Sequence, residues 1–92
     1  DVYYYPYSAS GKRAAELIAD ELRKIYPDPD LVSTVATTRL AEITKTSAPA
    51  VLVEIAYHDN AEDEAWIKSN ITVIAEALTR AVCAYLDMNC AL

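Results

Sequence analysis

The sequence predicts an α/β fold, a partial mixed or parallel sheet with helices on both faces, and three observations carry that prediction. Two segments, Gly11 to about Ile25 and Ile71 to about Asp87, repeat apolar residues every three or four positions, the period of an amphipathic helix. A third, Ala50 to Ala56, is apolar on both alternating faces, the pattern of a strand covered by helices on both sides. The composition agrees: at 92 residues, just over half of them apolar and about a quarter charged, the chain is a globular segment with one core.

Val2 to Tyr5 is a β-branched and aromatic run stopped by Pro6, and reads as a strand. Ser8 or Ser10 is placed to accept from the first free amides of the helix that follows. In that helix Ala14, Ala15, Ile18, Leu22 and Ile25 form the packing face, opposite Lys12, Glu16, Asp20 and Lys24. Tyr26-Pro-Asp-Pro-Asp ends it, because each proline removes a donor and pushes the preceding residue out of the helical region. Leu31 to Thr38 is rich in β-branched residues and reads as extended, Leu40 to Thr44 alternates like a short strand, and Lys45-Thr-Ser is a turn.

The Ala50–Ala56 strand puts Val51, Val53 and Ile55 on one face and Leu52 and Ala56 beside Glu54 on the other. Two apolar faces mark a central strand, with Glu54 near its carboxyl end, where open α/β sheets bind ligands. Asp59 or Asn60 can cap an acidic helix from Ala61 to about Ser69, whose first turn holds Glu62, Asp63 and Glu64, where the helix dipole favours negative charge. Asn70 then caps the last helix, with Ile71, Ile74, Ala75, Leu78, Val82, Tyr85 and Leu86 as its buried stripe.

The net charge of −6 argues against nucleic acid and anionic membrane surfaces as partners, since both are bound mainly through Lys and Arg clusters. The longest apolar run, Ala48 to Ala56, contains Pro49 and Glu54 and is far shorter than the roughly 20 residues of a membrane helix. The opening residues do not read as a secretion signal, and an opening directly on strand-like residues is what an excised segment or processed fragment would show. Cys83 and Cys90 are too few for a disulfide framework and lack zinc-knuckle spacing. Their count favours two free thiols; the alternative is one disulfide, which requires the last helix to end before Cys90 and would imply an exported protein.

Glu54 is the candidate for chemistry. A carboxylate in an apolar strand costs several kcal/mol unless it is paired, coordinated, protonated or wetted. The structural alternative is an ion pair with Arg13, Arg39 or Lys45. His58, the only histidine, could line the same cleft or be an ordinary surface residue. The chain supplies no recognisable trio of histidine and cysteine ligands for catalytic zinc, and Asp59-Asn-Ala-Glu-Asp lacks the alternating ligands and glycine of a calcium loop. With Gly11 the only glycine, no nucleotide loop or nucleophile elbow can be present. Tyr3, Tyr4, Tyr5 and Tyr7 read as half core and half edge, with a carbohydrate or peptide platform open to the exposed half.

The run Ser47-Ala-Pro-Ala-Val-Leu-Val-Glu-Ile-Ala-Tyr-His-Asp-Asn-Ala-Glu-Asp resembles the catalytic-glutamate segment of the zinc-dependent N-acetylmuramoyl-L-alanine amidases of bacterial walls, spores and phage lysins. Val2-Tyr-Tyr-Tyr looks like the strand after the last metal histidine of that family, and the helices fit as well. The resemblance implies that residues 1–92 are the C-terminal portion of one amidase catalytic domain, half of a three-layer α/β/α architecture. It implies a hydrolase, at the wall or outside the cell, that cuts the amide between the lactyl group of N-acetylmuramic acid and L-alanine in peptidoglycan. It gives Glu54 the part of proton-transfer residue, acting with a zinc whose two histidine and one glutamate ligands lie upstream of this chain. The missing N-terminal half is then a partner, and the chain alone is expected to be inactive. The alternative is a non-catalytic wall-binding or assembly module that keeps the fold.

Overall fold

The computed structural model describes residues 1–55 and 60–91. The order of elements is β1 (Val2–Tyr4), α1 (Ala9–Arg23), a 3-10 turn (Pro29–Leu31), β2 (Thr34–Ala36), α2 (Ala41–Thr44), β3 (Val51–Val53), α3 (Ala61–Ser69) and α4 (Ile71–Tyr85). The three strands form a mixed sheet in the order β2-β1-β3, with β2 parallel and β3 antiparallel to β1. The predicted α/β class is the one observed.

Register fixes the faces. Val2 lies opposite Thr34 and Val53, and Tyr4 opposite Ala36 and Val51. That row faces α1: Val2 is fully buried in a cluster with Ala15, Ile18, Ala19, Leu22 and Ala81, and Tyr4, Val51 and Val53 pack against it. Tyr3, Val35 and Leu52 therefore point to the other face, where all three are half-buried.

Helix α1 crosses all three strands and α4 packs along α1. Ser8 starts α1, its hydroxyl accepting from the Gly11 amide at 2.9 Å. Gly11 is buried where the helix passes the Ala50 carbonyl; a Cβ there would stand 3.4 Å from that oxygen and 3.0 Å from the Ser8 hydroxyl. The α1–α4 contact runs through alanines: Ala15 and Ala19 on one helix, Ala77 and Ala81 on the other, all at most 1% exposed. Small side chains let two helices approach closely, and charges close the margins. The Glu21 carboxylate accepts from Arg80 at 3.1 Å, and Arg13 donates to the Tyr85 carbonyl at 3.0 Å while lying over the Tyr85 ring. Arg13 thus satisfies carbonyls left open at the C-terminus of α4.

Four expectations are corrected. Leu40–Thr44 is not a strand; Ala41–Thr44 forms one helical turn that buries Ile43 and meets β3. Five alternating residues do not separate the two periods. The strand expected at the centre, β3, is three residues long and lies at a sheet edge; β1 is central. Asn70 does not cap α4 with its side chain, which instead donates to the Trp66 carbonyl and closes the end of α3. The buried stripe of α4 is rotated: Ile74, Ala77, Ala81 and Cys83 are buried, whereas Ile71, Val82 and Leu86 are more than half exposed.

The thiols are joined. Cys83 and Cys90 form a disulfide with Cα atoms 6.1 Å apart, so the reading favouring free thiols is also corrected. The helix ends at Tyr85, and Asp87 turns the chain back at φ 59°, the geometry that brings Cys90 within reach. Among the described residues no helix is long and apolar enough to cross a membrane.

Candidate active site

Glu54 follows directly on β3. Its amide donates to the Asp1 carbonyl at 2.9 Å, and the Asp1 nitrogen donates back to the Glu54 carbonyl at 3.3 Å, so the ladder runs one residue past the strand. The backbone of Glu54 is thereby fixed to β1, the central strand. Its side chain is exposed, and water can solvate the carboxylate. The cost assigned to a carboxylate inside an apolar strand does not arise, because the strand ends one residue earlier.

None of the expected partners pairs with it. Arg13 is engaged with the end of α4, and Arg39 and Lys45 are exposed without an ion pair to Glu54 among the described residues. The ion pairs seen are Arg23–Asp20, Lys24–Glu21, Lys68–Glu64 and Arg80–Glu21. The structural-pair explanation of Glu54 therefore loses its three named partners. His58 and Asp59, with Ala56 at the end of the expected strand, lie outside the described residues.

Glu54 and Ile55 line a small pocket of about 30 Å³ together with Val2, Leu22, Val32 and Trp66. One wall comes from α3. Asn60 begins that helix, its side-chain oxygen accepting from Glu62 and Asp63 at 2.9 and 3.2 Å. No residue of α3 is fully buried, so packing alone does not place it. Tyr26, three residues beyond α1, does much of that: its hydroxyl donates to Asp63 at 2.7 Å, and its ring meets Trp66 edge-on with centroids 5.0 Å apart. Sequence reasoning did not single out Tyr26 or Trp66. The available signal was the one tryptophan of the chain, set on a helix without an apolar stripe.

The titration of Glu21 is perturbed by opposing causes. Burial pushes its carboxyl up, but hydrogen bonds and charge from Lys24 and Arg80 outweigh this and hold it below its ordinary 4.5. That glutamate belongs to the α1–α4 contact and not to the pocket. Among the described residues no three His, Cys, Asp or Glu side chains converge to hold a metal ion, so these residues do not fit a catalytic zinc by themselves.

Fold and site together define a small α/β unit with a solvent-facing glutamate at the end of an edge strand. Residues 1–84 match the family model Amidase_3, N-acetylmuramoyl-L-alanine amidase, and the chain belongs to that family of cell-wall amidases. The family acts on peptidoglycan and is generally zinc-dependent. Comparison with curated proteins and with solved structures gives no match.

Proposed function

We propose that residues 1–92 are the C-terminal portion of an amidase catalytic domain, half of a three-layer α/β/α architecture, and that Glu54 moves protons in the hydrolysis of the N-acetylmuramoyl–L-alanine amide. The observation that carries this is the family match over residues 1–84, with Glu54 held at the sheet end by the Asp1 backbone and its carboxylate open to water.

In this reading the carboxylate takes a proton from the attacking water as the oxygen–carbon bond forms. It delivers the proton to the alanine nitrogen as the carbon–nitrogen bond breaks. Zinc and its ligands belong to residues outside these 92, and no described cluster substitutes for them. The chain alone is then inactive toward peptidoglycan. The edge position of β3, apolar at Val51, Leu52 and Val53, supports a further strand pairing there in the complete domain. The Cys83–Cys90 disulfide supports action outside the cell or at the wall, since such bonds persist in oxidising surroundings.

The test joins this chain to the N-terminal half of a zinc amidase and measures muropeptide release from peptidoglycan. Glu54→Ala is expected to lose turnover while keeping its helical circular dichroism. Wild-type turnover in that variant would remove Glu54 from the mechanism.

A further inference from the structure

We propose that the Cys83–Cys90 disulfide is a redox latch: oxidation closes the C-terminal tail onto α4, and reduction releases residues 86–91 while α4 stays seated on α1. The inference goes beyond the reading of Glu54 and does not rest on it. It starts from how the helix stops. The Met88 amide donates to the Cys83 carbonyl at 2.8 Å and the Asp87 amide to the Ala84 carbonyl at 3.2 Å, the paired bonds that close a helix over a left-handed residue. That residue is Asp87, at φ 59°. Glycine usually fills this position because it has no Cβ to clash, whereas Asp87 carries one; the turn is therefore disfavoured on its own and needs a second hold.

The disulfide is that hold. Among the described residues no hydrogen bond or ion pair ties Asn89, Cys90 or Ala91 to the fold, so the tail beyond Met88 is held through Cys90. Cys83 is 8% exposed although Thr79, Leu86 and Asp87, its neighbours three and four positions along the chain, are exposed. Its cover is therefore the returning tail. Before Leu86 the hold is different: Arg13 donates to the Ala84 and Tyr85 carbonyls and lies over the Tyr85 ring, which keeps α4 on α1 as far as Tyr85. The boundary of the latch falls at Leu86. That side chain lines an apolar groove with Pro49, Ala50 and Val51, the segment entering β3, so opening the latch withdraws Leu86 from the groove.

Opening is thiol–disulfide exchange with a dithiol. A thiolate of the reagent attacks the Cys90 sulfur, which is the more exposed of the two; the sulfur–sulfur bond breaks and Cys83 leaves, taking up a proton. The second thiol of the reagent then displaces Cys90, so both cysteines end as thiols and the reagent leaves as its cyclic disulfide, two electrons having passed to the protein. Exchange with an oxidised thiol compound closes the latch by the reverse steps. The end of α4 is thus completed in oxidising surroundings and left open in reducing ones.

The 92-residue chain is compared oxidised and after reduction with dithiothreitol, by residue-resolved amide exchange. On reduction the Leu86, Asp87 and Met88 amides should exchange about tenfold faster or more, while Ala19 and Leu22 in α1 change less. With the reductant removed, iodoacetamide should alkylate Cys83 within about tenfold of the rate at Cys90, since the tail no longer covers it. Cys83→Ser combined with Cys90→Ser should match the reduced chain and ignore the reductant. Asp87→Gly, which relieves the left-handed position, should shrink the effect of reduction. A smaller change at the three amides, a loss of protection in α1 as large as theirs, a Cys83 thiol that stays more than about tenfold slower than Cys90, or an Asp87→Gly chain as responsive as wild type would each overturn the latch.

Discussion

The contact between α1 and α4 and the corner that presents Glu54 are held together by different physics. Along the helices, alanines and Ile18 are buried and the charges of Glu21, Arg80 and Arg13 only trim the margin. At the Glu54 corner no residue of α3 is fully buried, and among the described contacts the Asn60 cap, the Tyr26 hydroxyl on Asp63 and the Tyr26–Trp66 ring contact help to place it. The first arrangement draws on the removal of apolar surface from water, the second on a few directional contacts of about 1 kcal/mol each. A reactive group can sit on the second without upsetting the first, because substitutions there leave the apolar cluster intact.

The comparison can be broken by substitutions of graded effect. Ile18→Ala, which opens a cavity in the helix-covered core, should cost about 2–5 kcal/mol and show as a collapse of the denaturation midpoint. A loss under 1 kcal/mol would mean that the cluster around Val2 is not the folding core. Tyr26→Phe removes the hydroxyl from Asp63 and should cost about 1–2 kcal/mol, with faster amide exchange confined to α3. Exchange rising equally in α1 would show that the two regions are not separable. Asn60→Ala, which removes the α3 cap, should cost about 1 kcal/mol and fray the same helix from its start.

The smallest effect is on pH dependence. The Glu21 carboxyl binds its proton less readily in the folded chain than its ordinary 4.5, so its contribution is present above that pH and is lost as pH falls through the lowered value. Glu21→Gln should therefore be less stable than wild type at neutral pH and converge with it in acid. Parallel stability curves down to acid pH would contradict the Glu21–Arg80–Lys24 account.

What was legible in the sequence follows the same division. The acidic helix was readable at the bounds found, Ala61–Ser69, with its start narrowed to Asp59 or Asn60, because cap and charge pattern are local signals; the structure settles on Asn60. Helix α1 was readable because its two faces differ in polarity. The buried side of α4 was not, because apolar residues surround much of that helix and the choice among them was made by how closely the alanines of α1 approach. The edge position of β3 depends on which strands pair, a non-local matter that a seven-residue apolar run does not encode. Glu54 was found by its contrast with its neighbours, but its exposure and its tie to Asp1 required the fold. Tyr26 and Trp66 are 40 positions apart, and nothing local brings them together.

The most direct test sets the two glutamates against each other. Glu54→Gln and Glu21→Gln are made in the joined amidase domain, and kcat for muropeptide release is measured beside the thermal midpoint. Glu54→Gln should lose at least about 100-fold in kcat with its midpoint unchanged, and Glu21→Gln should lose stability with kcat kept. Wild-type kcat in Glu54→Gln, with the domain folded, would contradict the account.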